Sequence, residues 1–293
     1  MEKENEYRQT QDIATAQPFD LAKHSSIGVG GEAKIAFYPQ SAAQLTALLR
    51  QFYEEKRAYY VVGNMTNILP SDRGTDKAIV CTKKLVGLKF GDKTFAYAGE
   101  QSGAFLRRCR EAEKGGAEFL AGIPCTIGGA LYMNAGAAGV YISEIVDSVL
   151  VVREGELQTL EKAECEYSYK KSLFMRNKDV IVGATLKLHD SKKQTIDENI
   201  RCFLQRRAHL PKGKSMGCIF KNPDGFAAGE LIEKAGLKGL RLGGAFVSEE
   251  HGNFIINDGA AKADDIKRLI KIVQNAVFAQ YGVQLKEEIQ YLD

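Results

Sequence analysis

Apolar residues recur at two distinct spacings along the chain, and the spacing changes several times. In SAAQLTALLRQFYEEKRA, Leu45, Leu48, Leu49 and Phe52 fall three and four apart behind a Ser41/Gln44 capping-box pattern, which predicts an amphipathic helix. On either side, AKIAFYP (residues 33–39), YYVVGN and KAIVCT read as strands, giving a β-α-β layer with a Gly63-Asn64 loop at a strand's carboxyl end. FAYAGE is strand-like and SGAFLRRCREAE helical. VDSVLVVREGELQTL predicts a hairpin turning near Glu154-Gly155, and DVIVGATLKL (residues 179–188) a strand. The polar seam HDSKKQT marks a boundary, followed by a helix near 196–208. The last third alternates strand, helix (AGELIEKAGLKG), strand (GNFIIN), long helix, strand. In that long helix Ile266, Leu269, Ile270, Val273, Val277 and Tyr281 make one stripe, expected to be core.

Composition narrows the class without naming a function. The 293 residues, 44% hydrophobic and 26% charged, allow two or three packed domains. A net charge of +3 with interleaved signs gives no support for nucleic-acid binding. The polar start MEKENEYRQTQDIATAQP, taken as a leader over residues 1–18, lacks the apolar run of a secretory signal, and no apolar run is long enough to span a bilayer. Six cysteines form no C-x-x-C pair and no metal-ligand spacing with the four histidines, so no metal site and no disulfide framework are expected. A reduced, cytoplasmic protein is the expectation.

Three glycine-bearing stretches and one thiol remain. GVGGEA (residues 28–33) matches G-x-G-x-x-A by letter, but no helix is expected to follow, so a dinucleotide turn is rejected. In VVGNMTNILPSD a strand ends in Gly63-Asn64, and the turn can offer N–H groups and Thr66 to an anion; an ordinary Asn/Gly turn reads equally well. GIPCTIGGALYMNAG (residues 122–136) is glycine-rich and nearly uncharged. Gly128 and Gly129 sit where a helix could start and aim its amides at a phosphate; tight packing is the other reading. In KSMGCIFKNP, Cys218 taken alone is a small buried hydrophobe in a strand.

The motifs LAKHSSIGVGGEAKIAFYP, GNMTNILPSDRG, EFLAGIPCTIGGALYMNAGAAG, SMGCIFKNPDGFAAGELIEKAGLKG and FVSEEHGNFIIND occur in one order from about residue 19 to the end. Together they resemble the UDP-N-acetylenolpyruvoylglucosamine reductases (the MurB family), in particular its shorter, type II members. The resemblance implies an α+β fold: two FAD-binding subdomains of the vanillyl-alcohol-oxidase type (19–92 and 93–190), then a substrate domain (196–293). It implies non-covalent FAD reduced by NADPH, and a UDP-sugar enolpyruvyl ether reduced in turn to UDP-N-acetylmuramate for peptidoglycan, by a monomer without nucleic-acid or membrane partners. By the same resemblance Gly63, Asn64, Met65, Thr66, Asn67, Gly122, Ile123, Pro124, Thr126, Gly128, Gly129, Asn134 and Gly136 hold the flavin. Cys218 stands where many members have a serine acid, Glu288 matches a C-terminal glutamate, and Lys170 stands in place of an arginine, with Lys171 adjacent. Lys221 and Asn222 match the substrate-contacting "FKNP" positions.

The implied chemistry suits these residue types. Hydride addition at C3 of the enolpyruvyl group builds negative charge on the carboxyl system at C2, which calls for fixed donors and cations. A lysine supplies charge without the fork of an arginine. A thiol of ordinary pKa, about 8.5, carries its proton at neutral pH and can serve as the acid. Two alternatives stand beside this reading: a same-fold flavin oxidase tethering its flavin through His24 or Cys125, and a flavin- or UDP-sugar-binding paralogue without turnover.

Overall fold

The protein is described by a computed structural model covering residues 13–293, so residues 1–12 of the expected leader lie outside the described residues. The chain forms two compact units. The first comprises residues up to Ala16, Ile35–Asn64 and Lys77–Ala208; the second comprises Gln17–Lys34, Met65–Asp76 and His209–Asp293.

In the first unit, a four-stranded sheet orders Ala14–Ala16, Ala36–Tyr38, Ala78–Cys81 and Tyr59–Val62, and its last three strands run parallel. The helix Ala42–Glu54 crosses over between two of them and buries Leu45, Leu48, Leu49 and Phe52, as the spacing predicts. Ser41 Oγ caps it by accepting from the Gln44 amide at 3.1 Å. Gln44 reaches back one residue further than the capping box requires, accepting from the Gln40 amide at 2.8 Å. A second, five-stranded antiparallel sheet orders Glu156–Glu161, Val146–Arg153, Val180–Leu186, Thr94–Tyr97 and Leu88–Lys89. Its hairpin turns at Glu154 and Gly155, both with positive φ (51° and 82°), the twist a two-residue connection needs. The apolar Val180–Leu186 is central, and its neighbours bury it on both faces. Leu45, Phe52, Phe105, Phe119, Ile127, Val149 and Val182 belong to one continuous core.

The second unit has its own core, with Ile27, Leu69, Ile219, Ile232, Ile266, Leu269, Ile270, Val273 and Val277. The long helix Ala263–Tyr281 supplies the stripe; Tyr281, at its end, is exposed at 36%, so the buried stripe stops at Val277. Gly282 ends the helix in the left-handed conformation (φ 68°). The remaining elements are the helix Ala228–Lys234 and an antiparallel sheet of Arg241–Leu242, Ala245–Val247 and Ile255–Asn257. The strand Ile68–Pro70 pairs in parallel with Gln290–Leu292, a connection no local pattern announces. Gly28–Gly31 lead into a short strand, Glu32–Ala33, paired with Phe19–Asp20, so the dinucleotide turn is absent as expected. Gly31 is a close-approach glycine: a Cβ there would lie 2.5 Å from the Gly74 nitrogen.

Candidate functional site

The first unit carries Gly63, Asn64 and the 122–136 stretch. Gly63 ends the strand Tyr59–Val62, and a Cβ on it would collide with Thr126 Oγ1. Asn64 Nδ2 donates to the Pro124 carbonyl at 3.3 Å, so the 63–64 turn and the 122–126 segment are fastened to each other. Ser102 Oγ donates to the Ile123 carbonyl at 2.5 Å, and Arg207 Nε donates to the Gly122 carbonyl at 3.2 Å.

The helix expected near Gly128 is present, over Ile127–Met133, with Thr126 as its cap. Its opening amides are not available to a phosphate. Ile127 N–H donates to the Glu100 carbonyl and Gly128 N–H to the Ala98 carbonyl, each at 2.8 Å, and Gly129 N–H donates to Thr126 Oγ1 at 3.2 Å. Gly128 is required for packing, because a Cβ there would lie 2.8 Å from Ala98 Cβ. The N–H groups of Gly128 and Gly129 thus already have acceptors within the protein.

The turn after Gly63 differs. No described residue accepts from the amides of Asn64, Met65 or Thr66, or from the Thr66 hydroxyl. Met65 has φ 53°, an uncommon left-handed value for a methionine. A left-handed residue within a run of unspent amides is the backbone form that binds anions. The backbone of this turn thus fits an anion such as the diphosphate of a dinucleotide-type cofactor.

Asn134 and Gly136 each make structural contacts within the first unit. Asn134 is 3% exposed; its Nδ2 donates to the Ser168 carbonyl at 2.8 Å and its Oδ1 accepts from the Ser143 amide at 3.2 Å. Gly136 lies in a short antiparallel pair with Tyr141, where a Cβ would strike the Val140 carbonyl. Asn134 fastens the turn that carries Lys170. That turn closes through reciprocal backbone bonds between Ser168 and Lys171, each 3.1 Å, and through Ser172 Oγ donating to the Tyr132 carbonyl at 2.6 Å. Lys170 is half-buried with φ 51°, whereas Lys171 is exposed. A non-glycine residue at that φ is strained by about 1–3 kcal/mol, a cost the fixed turn sustains.

The second unit carries Cys218 and Glu288. The stretch around Cys218 is not the regular strand expected. It is an irregular segment with single bridges from Cys218 to Phe254 on one side and from Phe220 to Glu287 on the other. Glu288 N–H donates to the Ile219 carbonyl at 2.7 Å, so Glu288 and the residue after Cys218 share a backbone hydrogen bond. Asn67 Nδ2 donates to the Glu288 carbonyl at 3.1 Å, which gives Asn67 a role in fixing Glu288. Cys218 and Glu288 are both half-buried. Asn222 Oδ1 accepts from the Ala228 amide at 3.0 Å, at the start of the helix Ala228–Lys234. That bond fixes the orientation of the amide group. Lys221 N–H donates to the Lys286 carbonyl at 2.8 Å.

The oxidase alternative needs a nucleophilic tether. Burial pushes the Cys125 thiol up to about 11, the opposite of what a covalent attachment requires. The His24 ring is stacked on Phe19 at 4.1 Å between centroids. Sequence reading passed over Asn253, which holds the Phe220 backbone; its signal is a polar residue immediately before the apolar run at residues 254–256.

A fold with these two units, a glycine-lined turn and spare amides defines a flavin-binding α+β protein. The sequence matches a family described as an FAD binding domain over residues 33–161, and the UDP-N-acetylenolpyruvoylglucosamine reductase C-terminal domain over 208–292. The UDP-N-acetylenolpyruvoylglucosamine reductase of Carboxydothermus hydrogenoformans is 39% identical over 277 residues, covering 93% of this chain and 92% of that protein. The one from Clostridioides difficile is 38% identical over 290 residues, covering 96% and 94%. The crystal structure of the Thermus caldophilus reductase is similar with a TM-score of 0.83 at 30% identity, covering 96% of this chain and 99% of that one. The chain belongs to the UDP-N-acetylenolpyruvoylglucosamine reductase family.

Proposed function

We propose that the protein reduces the enolpyruvyl ether of a UDP-N-acetylglucosamine to UDP-N-acetylmuramate, using NADPH and non-covalent FAD, in cytoplasmic peptidoglycan precursor synthesis. The observation that carries the reading is the backbone unit joining Cys218 and Glu288 within a chain of this family. FAD, when bound, would supply the two-electron hydride chemistry that links NADPH to the enolpyruvyl group. The amides of Asn64, Met65 and Thr66 hold the cofactor's diphosphate. Lys170 supplies the cation that stabilises the charge developing on the carboxyl system at C2, with Glu288 as its companion in the site. Cys218 gives its thiol proton to C2 and recovers one from solvent, so one hydride and one proton complete the single bond. Lys221 and Asn222 contact the substrate diphosphate. Among the described residues no helix is long and apolar enough to cross a membrane.

A stopped-flow experiment separates the steps. NADPH should bleach the flavin, and the UDP-enolpyruvyl sugar should restore its colour. Cys218→Ser should retain part of the reoxidation rate and Cys218→Ala should lose about 10²-fold or more, the usual worth of a positioned acid. Reduced flavin that the UDP-sugar cannot reoxidise would refute the reading.

A further inference from the structure

We propose that Asn253 is the positioning residue for the proton donor, acting through the backbone of Phe220; this rests on the reading of Cys218 given above. Asn253 is 2% exposed. Its Oδ1 accepts from Phe220 N–H and its Nδ2 donates to the Phe220 carbonyl, both at 2.8 Å. Its own backbone carbonyl accepts from Ile219 N–H at 2.9 Å. One asparagine thus takes up both backbone groups of Phe220 and one of Ile219.

The opposite edge of the segment is held by main-chain bonds: Glu288 N–H on the Ile219 carbonyl, and Lys221 N–H on the Lys286 carbonyl. On the Asn253 edge the ordered strand begins only at Ile255, so a side-chain amide takes the place of the missing ladder. Residues 219–221 are therefore fixed from both sides. Immediately before Cys218, Gly217 has φ 75° with nothing within 4 Å of where a Cβ would be. Cys218 sits between a permissive joint and a clamp. The clamp sets the direction of its Sγ.

Removing the amide leaves the N–H and C=O of Phe220, itself 2% exposed, without partners. Such groups are costly to bury, so the segment must move to satisfy them. Movement of about 1 Å in a proton donor is enough to slow its step about 10²-fold. The amides of Asn64, Met65 and Thr66 make no hydrogen bond to Asn253 or to residues 219–221, so flavin reduction should be spared.

The test uses holoenzyme for the two half-reactions and apoprotein for amide hydrogen exchange. Asn253→Ala should slow reoxidation by the UDP-enolpyruvyl sugar about 10²-fold at saturating substrate, leave reduction by NADPH within about twofold, and speed exchange at residues 219–221. Asn253→Asp keeps the acceptor for Phe220 N–H and loses the donor. It should show the same split, and serves if the alanine variant fails to fold. Val273→Ala, a cavity in the long buried helix, should lower stability without changing the ratio of the half-reactions. Either Asn253 variant with faster exchange but an unchanged ratio overturns the inference, as does unchanged exchange. Cys218→Ala separates the two ideas. If it reoxidises normally, the donor assignment itself is wrong; if it is slow while Asn253→Ala is normal, only the role of Asn253 fails.

Discussion

Thr126 Oγ1 occupies the space in which a side chain on residue 63 would begin, and the same oxygen caps the Gly129 amide at 3.2 Å. Gly63→Ala therefore forces apart two segments that Asn64 also fastens through Pro124. The overpacking should cost about 1–3 kcal/mol and loosen FAD. Absorbance near 450 nm after gel filtration reads the retained cofactor. An alanine variant that keeps full colour and full stability would show that the contact is not required.

Thiol chemistry should divide the cysteines sharply. Burial holds Cys109 up at about 12, and Cys125 and Cys165 at about 11; Cys81 is also raised and buried. Cys202 is exposed and Cys218 half-buried. Iodoacetamide at pH 8, read by mass spectrometry of the native apoprotein, should modify Cys202 and Cys218, and reach the other four only in denaturant. Native alkylation of Cys125 would reopen the tethering alternative.

Stability should fall on mild acidification through His251. Burial, then the nearby His209, hold its pKa below the ordinary 6.5, and its Nδ1 must stay unprotonated to accept from the Asn253 amide at 3.1 Å. The unfolded chain takes up that proton first, near pH 6.5. The stabilisation is therefore complete above that pH and is lost as pH falls towards the folded value. Urea midpoints between pH 7.5 and 5.5 should decline, and His251→Gln should flatten the decline. Equal slopes in the two proteins would place the effect elsewhere.

Exposure separates the paired lysines. Lys170 is half-buried in the strained turn, and Lys171 points to solvent-exposed surface. Lys170→Ala should slow reoxidation by an order of magnitude or more, about the worth of one oxyanion donor. Lys170→Arg should retain the rate or raise it, because the fork matches a carboxylate. Lys171→Ala should be near normal. The reverse ranking of the two alanine variants, by stopped flow, would reassign the role.

What the sequence made legible was local. The helix Ala42–Glu54 and the Glu154-Gly155 hairpin each announce themselves within a few residues, through a cap, a stripe or a turn pair. The pairing of Ile68–Pro70 with Gln290–Leu292 does not, since two three-residue strands far apart carry no mutual mark. Asparagine shows where local pattern stops. Asn67, Asn134 and Asn222 resemble ligand contacts by motif, yet each spends a side-chain atom on backbone. Nor could the run Ile127-Gly128-Gly129 reveal that carbonyls from residues 98 and 100 meet its amides. Motif order identified the family; only coordinates separated the amides that are spent from those that are spare.

The Ile68–Pro70 pairing also fixes an order of events during synthesis. Every residue of the first unit precedes residue 209, so that unit can close while translation continues. The strand Ile68–Pro70 must wait for its partner until residue 290, some 220 positions later (290 − 70). At about 5–20 residues per second that is on the order of ten to forty seconds. Throughout that interval a buried-type apolar strand stands with an open edge on the nascent chain, an invitation to wrong pairing. Yield of folded protein should thus depend on translation speed and on whatever shields Ile68 and Leu69 until Gln290–Leu292 arrives.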